Sequence, residues 1–133
     1  MSGEQQAGSI TVSFSDECAQ KIDQILERCE LKEKLAIVQL AIALALLSPV
    51  PRSMTPVVRA GRGYTINRGS LDPDSTLTSA IKAAARGTQV DVFEEIRSLG
   101  EQGIDMLHSL IVQKHLRLPA AITAVVEQSR ARQ

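Results

Sequence analysis

The sequence predicts a mainly α-helical protein, a single helical domain with a short N-terminal β-strand and about five helices. Two observations support this class: apolar residues recur at helical spacing in several segments, and aromatic residues make up only 2% of the chain. A core short of aromatic side chains has to be filled by leucine, isoleucine, valine and alanine, which suits the packing of helix on helix. A length of 133 residues is enough for one domain and short for two.

The first element is a strand. Residues 1–9 are polar, so we expect them to form a flexible tail that precedes a domain over residues 10–133. Apolar and polar residues then alternate over Ile10–Ser15, which is the period of a β-strand. No second strand is as clear in the sequence. The alternation therefore predicts either an extended arm or a strand that pairs with another chain.

An amphipathic surface helix follows. Ser15 and Asp16 are favourable N-cap residues, and apolar residues recur at helical spacing from Cys18 to Cys29. We expect a turn at Glu30–Lys32 before the next helix begins.

The segment Leu35–Leu47 has a different pattern, because Gln39 is its only polar residue. It is too short to cross a membrane, which takes about 20 residues. A helix that is apolar on every side needs cover on every side, and a chain of this length has few other helices to supply it. We therefore expect a central helix that also forms an oligomer contact, through Leu35, Val38, Ile42 and Leu46.

Residues 48–71 contain three prolines and three glycines, which predicts a long loop of the kind that is usually functional or flexible. A short extended piece within it is predicted from its apolar residues, which are Val57, Val58, Tyr64 and Ile66.

Three helices are predicted after the loop. Acidic and hydroxyl residues at 72–75 favour a helix start, and Gly87 is a natural stop. An apolar stripe from Asp91 to Ile111 predicts one long helix, in which Gly100 and Gly103 allow a neighbouring backbone to approach closely; the alternative is that Gly100 divides it in two. Pro119 suits the first turn of a last helix over residues 120–130.

Charge distribution is the strongest functional signal. Fifteen basic and fifteen acidic residues cancel, which excludes a strongly basic nucleic-acid binder on totals, but no acidic residue lies between Glu33 and Asp72. Arginines on a Gly-rich segment suit contacts with phosphate oxygens. The predicted DNA contacts are Arg52, Arg59, Arg62 and Arg68, with Lys82 and Arg86 as lesser candidates. The alternative is a solvated loop whose arginines pair with acids elsewhere in the chain.

No set of residues predicts catalysis, a metal or a cofactor. Gly61-Arg62-Gly63 lacks the rest of a phosphate-binding loop, and His108 and His115 have no third ligand nearby in sequence. Cys18 and Cys29 lack metal-binding spacing and suggest buried thiols of a reducing compartment. With no signal peptide evident, we expect a cytoplasmic protein that is not an enzyme and does not enter a membrane.

The order of strand, amphipathic helix, turn and second helix resembles a ribbon-helix-helix unit, in which two chains pair their strands. Over residues 10–112 the layout is also similar to the DndE family, accessory proteins of bacterial DNA phosphorothioation. The segments that carry this second resemblance are Ile10–Phe14, Leu26–Cys29, Ala45–Ser48, Asn67-Arg68 and Ile96–Leu107. That family implies a homo-oligomeric helical protein that binds duplex DNA through surface lysines and arginines.

From the charge pattern and these resemblances, we expect a non-enzymatic, homo-oligomeric DNA-binding accessory or regulatory protein that takes part in DNA modification. The alternative is a helical adaptor or assembly module that binds other proteins and no nucleic acid.

Overall fold

The computed structural model describes residues 11–47, 64–85 and 91–131. The predicted class is confirmed, since helices dominate and a short strand opens the described chain. The elements are β1 (Thr11–Phe14), α1 (Asp16–Cys29), α2 (Lys34–Leu47), β2 (Tyr64–Asn67), α3 (Arg68–Leu71), α4 (Thr76–Ala85), α5 (Val92–His108), a π-helical turn (Ser109–Gln113) and α6 (Leu118–Ala131). The predicted tail, residues 1–9, lies outside the described residues.

The N-terminal strand pairs within its own chain. β1 and β2 are antiparallel, with Thr11 opposite Asn67 and Phe14 opposite Tyr64. Alternation places Val12 in the core, while the hydroxyls of Ser13 and Thr65 lie 3.0 Å apart on the other face. The expectation that β1 stays an arm or pairs with another chain is therefore wrong, because the extended piece around Tyr64 supplies the partner.

Both ends of α1 are capped, and the cap at its start is the one that the sequence predicts. The Ser15 hydroxyl oxygen accepts a hydrogen bond from the Cys18 amide at 3.1 Å. The same serine donates through its amide and its hydroxyl to the Glu101 carboxylate, at 2.7 and 2.9 Å, which ties the start of α1 to α5. Glu30 adopts a left-handed conformation (φ 56°), and its amide donates to the last carbonyls of the helix.

α2 makes its most extensive contact with α5, and a glycine sets their distance. A Cβ atom on Gly103 would lie 2.0 Å from the carbonyl oxygen of Ala41, so only glycine fits this approach. A Cβ atom on Gly100 would lie 2.5 Å from the Phe14 ring. α5 runs through both positions without a break and continues into the π-helical turn, which excludes the alternative that Gly100 divides it.

The chain covers most of α2 by itself, which corrects one part of the predicted oligomer contact. Val38 and Ile42 are fully buried at 0% exposure, so neither side chain is on the surface. Leu35 and Leu46 are half-buried. The reason is the close approach of α5 along one side of α2. The apolar residues that α2 leaves exposed are Ala36, Ala43 and, at 49% exposure, Leu47.

The one polar side chain within the apolar part of α2 has a structural role. The Gln39 amide nitrogen donates to the Leu71 carbonyl at 2.9 Å, which holds the end of α3 against α2. Among the described residues, no helix has the length and apolar character needed to cross a bilayer.

Candidate functional site

Most of the predicted DNA contacts fall outside the described residues. These are Arg52, Arg59, Arg62 and Arg86. Arg68 begins α3 directly after the strand pair. Lys82 is exposed on α4 and forms no ion pair within the described chain. The structure therefore places two of the six predicted contacts, and it places them on different elements.

The C-terminal end of the acid-free run (residues 34–71) is held by hydrogen bonds. The Asn67 side-chain oxygen accepts a hydrogen bond from the Gly69 amide at 2.7 Å, and Leu71 is held by Gln39. Asp72 follows, and its buried carboxylate caps the start of α4 by accepting from the Leu77 amide at 2.9 Å and the Thr78 hydroxyl at 2.6 Å. The residues around Arg68 thus belong to a hydrogen-bonded framework.

Lys34, the first cationic residue of the acid-free run, lies beside Tyr64, the first residue of β2. The Lys34 ammonium lies 5.4 Å from the centroid of the Tyr64 ring and 3.5 Å from the Asp23 carboxylate. Tyr64 therefore lies near the start of α2, whereas Leu47 ends it, about 20 Å away at 1.5 Å per helical residue. Leu47 and Tyr64 thus lie near opposite ends of α2. Lys34 is already engaged and is a poor candidate for phosphate.

A second cationic site, absent from the sequence predictions, lies between the end of α1 and the start of α6. This α1–α6 pocket has a volume of about 560 Å³. Its polar lining is Arg28, Glu30, His115 and Arg117, and Arg28 donates a hydrogen bond to Nδ1 of His115 at 3.2 Å. Its apolar lining consists of Cys29, Leu31, Ile111, Leu116, Leu118 and Pro119.

The π-helical turn explains how distant residues meet at this pocket. The Lys114 amide donates to the Ser109 carbonyl at 3.0 Å, and the Leu116 amide donates to the Leu110 carbonyl at 2.9 Å. His115 between them is left-handed (φ 60°), so the chain reverses and brings Arg117 toward Arg28. A sequence signal for this site exists: no acidic residue lies between Asp105 and Glu127.

The two histidines have separate partners. His108 donates through Nε2 to the side-chain oxygen of Gln24, and burial together with the charge of Lys21 lowers the pKa of His108. His115 accepts from Arg28. Within the described ranges, no three histidine, cysteine or acidic side chains are arranged to hold a metal ion.

Neither cysteine is activated. Burial, reinforced by the negative charge of Glu101, raises the pKa of the Cys18 thiol from its ordinary 9.0 to about 12. Burial also raises the pKa of Cys29. Because the thiolate is the nucleophilic form, both side chains are poor nucleophiles at neutral pH.

Residues that carry the resemblance to the DndE family are spread over the fold. Leu26–Cys29 ends α1, and Ile96–Leu107 forms most of α5. Ser15 and Glu101 join these two helices by hydrogen bonds, so these segments belong to the framework more than to one surface. The resemblance stays a prediction. Comparison with protein-family models, with curated proteins and with solved structures found no match to this chain.

Proposed function

We propose that this chain is a non-enzymatic DNA-binding protein, which contacts the phosphate backbone of the duplex through the arginines of its acid-free run. The observation that carries the proposal is the charge of residues 34–71, with four arginines, one lysine and no acidic residue in a chain of zero net charge. Guanidinium groups bind phosphate oxygens with two parallel hydrogen bonds. Each neutralised phosphate also releases counterions, which favours association.

The described framework supports this proposal at Arg68. Its position follows β2, which is paired with β1, and the next residues are held by Asn67 and Gln39. A backbone that is already ordered loses less conformational entropy when its side chain binds a phosphate. Lys82, exposed and without an ion pair in the described chain, adds a further cation.

Duplex DNA fits the chain better than single-stranded nucleic acid does. Proteins that bind single strands stack the bases on aromatic side chains. This chain has three aromatic residues, and Phe14 is fully buried with its ring 6.3 Å from that of Tyr64. Contacts with the phosphate backbone need no such platform, so a duplex is the expected partner.

The test is the salt dependence of duplex binding, measured by fluorescence anisotropy. The logarithm of the binding constant should fall linearly with the logarithm of salt concentration, by about 0.9 for each phosphate contacted. The triple variant Arg52→Gln, Arg59→Gln, Arg62→Gln should bind more weakly at every salt concentration, with a shallower slope. A matched triple variant, Arg28→Gln, Arg117→Gln, Arg130→Gln, removes the same charge from the α1–α6 side and should keep the wild-type slope.

Two results would overturn this proposal. One is the absence of duplex binding at low ionic strength. The other is an equal loss of slope in both triple variants, since net charge alone would then account for binding.

Self-association and a role in DNA modification, which the resemblance implies, belong to the same proposal. Copies that associate would present several acid-free runs to one duplex, and binding through linked sites strengthens affinity without new contacts. The exposed apolar side of α2, with Ala36, Ala43 and Leu47, supports self-association.

An adaptor that binds another protein is the second candidate. Its supporting observation is the exposure of two large apolar side chains, Leu31 at 41% and Leu47 at 49%. If purified protein fails to bind a duplex yet forms a stoichiometric complex with a defined protein, and Leu31→Ser weakens that complex, the adaptor replaces DNA binding as the function.

A further inference from the structure

The α1–α6 pocket has the size and composition of a small-molecule site. Its volume of about 560 Å³ lies within the range of ligand pockets, which is about 300–1,000 Å³. Six of its ten lining residues are apolar, and four carry polar side chains. Such a mixture is typical of sites where an apolar surface buries most of the ligand and a few polar groups orient it.

The arginine side chains that line the pocket have more hydrogen-bond donors than the described residues use. Arg28 uses one bond to His115, and because a guanidinium group only donates, Nδ1 of His115 is the unprotonated nitrogen. This bond holds the Arg28 side chain across the pocket lining and leaves its other N–H groups available. Arg117 forms no ion pair within the described chain. Arg28 and Arg117 therefore both line one pocket, and neither forms an ion pair with an acid among the described residues.

The net charge of the lining favours a ligand with a single negative charge. Arg28 and Arg117 contribute two positive charges and Glu30 one negative charge. The lining is thus close to +1. A nucleotide or another polyanion would place several strongly hydrated charges against six apolar side chains, and the pocket lining has no phenylalanine, tyrosine or tryptophan on which a base could stack.

From this geometry we infer that the α1–α6 pocket binds a small monocarboxylate with an apolar body. The carboxylate lies between the guanidinium groups of Arg28 and Arg117, which suit two parallel hydrogen bonds. The apolar body lies against Ile111, Leu116 and Leu118. This site is separate from the acid-free run, and the inference does not depend on DNA binding.

Isothermal titration calorimetry of the full-length protein with octanoate tests the inference. Octanol is the uncharged probe with the same number of carbon atoms. At pH 7 octanoate is ionised, and we expect saturable binding that is at least about tenfold tighter than that of octanol. Arg117→Gln and Arg28→Gln should each weaken octanoate binding about tenfold and leave octanol unaffected.

Two further variants sharpen the test. Arg130→Gln removes the same charge from the far end of α6 and should leave the affinity for octanoate unchanged. Glu30→Gln should tighten octanoate binding severalfold, since the carboxylate repels the ligand while the cap of α1 uses only the Glu30 backbone. The inference is overturned by no octanoate binding at millimolar concentration, by equal affinity for octanol, or by an equal loss in Arg130→Gln.

Discussion

Gly103 shows how a single residue sets the geometry of this fold. It lies where α5 crosses α2, and the carbonyl group of Ala41 occupies the space that any side chain would need. The contact depends on backbone atoms, which cannot rotate away as a flexible side chain can. A residue that helices generally disfavour is therefore required at this position.

Replacing Gly103 with alanine should lower the free energy of unfolding by about 2 kcal/mol or more, despite the better helix propensity of alanine. Overpacking against the Ala41 carbonyl forces the two helices apart. Urea unfolding followed by circular dichroism measures the change. Gly69→Ala is the matched control: its Cβ atom would meet only the Asn67 side-chain oxygen at 3.2 Å, so a smaller loss is expected. Equal stabilities of Gly103→Ala and wild type would contradict this account.

Cys18 makes stability depend on pH in the alkaline range. Its folded-state pKa, about 12, lies above the ordinary 9.0 of an unfolded thiol. The contribution of the neutral Cys18 thiol to the free energy of unfolding is fully present below pH 9. It is lost as pH rises from 9 toward 12, because Cys18 ionises first in the unfolded chain.

We expect the wild type to lose up to about 1.4 kcal/mol of stability per pH unit above 9 from this group. For Cys18→Ala, the free energy of unfolding should fall less steeply between pH 9 and 11. The cavity left by the substitution lowers the stability of this variant at every pH, but it does not change that slope. Urea unfolding at several pH values measures both slopes. Identical slopes would mean that Cys18 ionises in the folded protein as it does in the unfolded chain.

At the scale of elements, the strand pair separates this fold from a ribbon-helix-helix dimer. The backbone of β1 forms hydrogen bonds with β2 of the same chain. This edge of β1 is therefore occupied and does not pair with a second chain to form a ribbon. The pairing also anchors Arg68, which follows β2 directly.

Intramolecular pairing predicts the product of cross-linking. Ser13 and Thr65 are directly opposite in the register, at a spacing where two cysteines form a disulfide. The double variant Ser13→Cys, Thr65→Cys should oxidise to a disulfide within one chain and run as a monomer on a non-reducing gel. Ser13→Cys alone serves as the control. A disulfide-linked dimer as the main product of the double variant would support strand exchange between chains.

At the scale of the whole molecule, the charges are segregated although they sum to zero. Acidic residues are absent from 34–71 and again from 106–126, and both ranges contain lysine and arginine. Three of the described acids act within the framework: Asp72 caps α4, Glu101 binds Ser15, and Asp105 pairs with Lys21 at 2.6 Å. Lys82 and Arg117 form no ion pair within the described chain.

If copies associate through the exposed side of α2, light scattering after size-exclusion chromatography should give a mass above the 14.4 kDa of one chain. Leu47→Glu should shift the protein toward that single-chain mass, because a charge buried in an apolar contact is costly. Ala83→Glu, at an exposed position of α4, is the control and should not dissociate the assembly. A wild type that elutes as a stable single chain removes self-association from the proposed function.

Local sequence by itself determined where the longer helices and the first strand lie. Ser15 and Asp91 cap α1 and α5 with their own side chains, and helical periodicity marks the faces that are buried. These are interactions between residues a few positions apart, so they can be recognised without knowing the rest of the fold. The close approach of α5 at Gly103 was foreseen for the same reason, since both glycines lie on the apolar stripe.

Only the tertiary structure decided the partner of β1, the cover of α2 and the existence of the α1–α6 pocket. Each depends on residues far apart in sequence: Val12 opposite Ile66, Ala41 against Gly103, and Arg28 beside His115. Composition suggested that the chain was too short to enclose α2, but burial depends on how closely helices approach. The glycines mark where a backbone can approach, but which backbone does so depends on residues far apart in sequence.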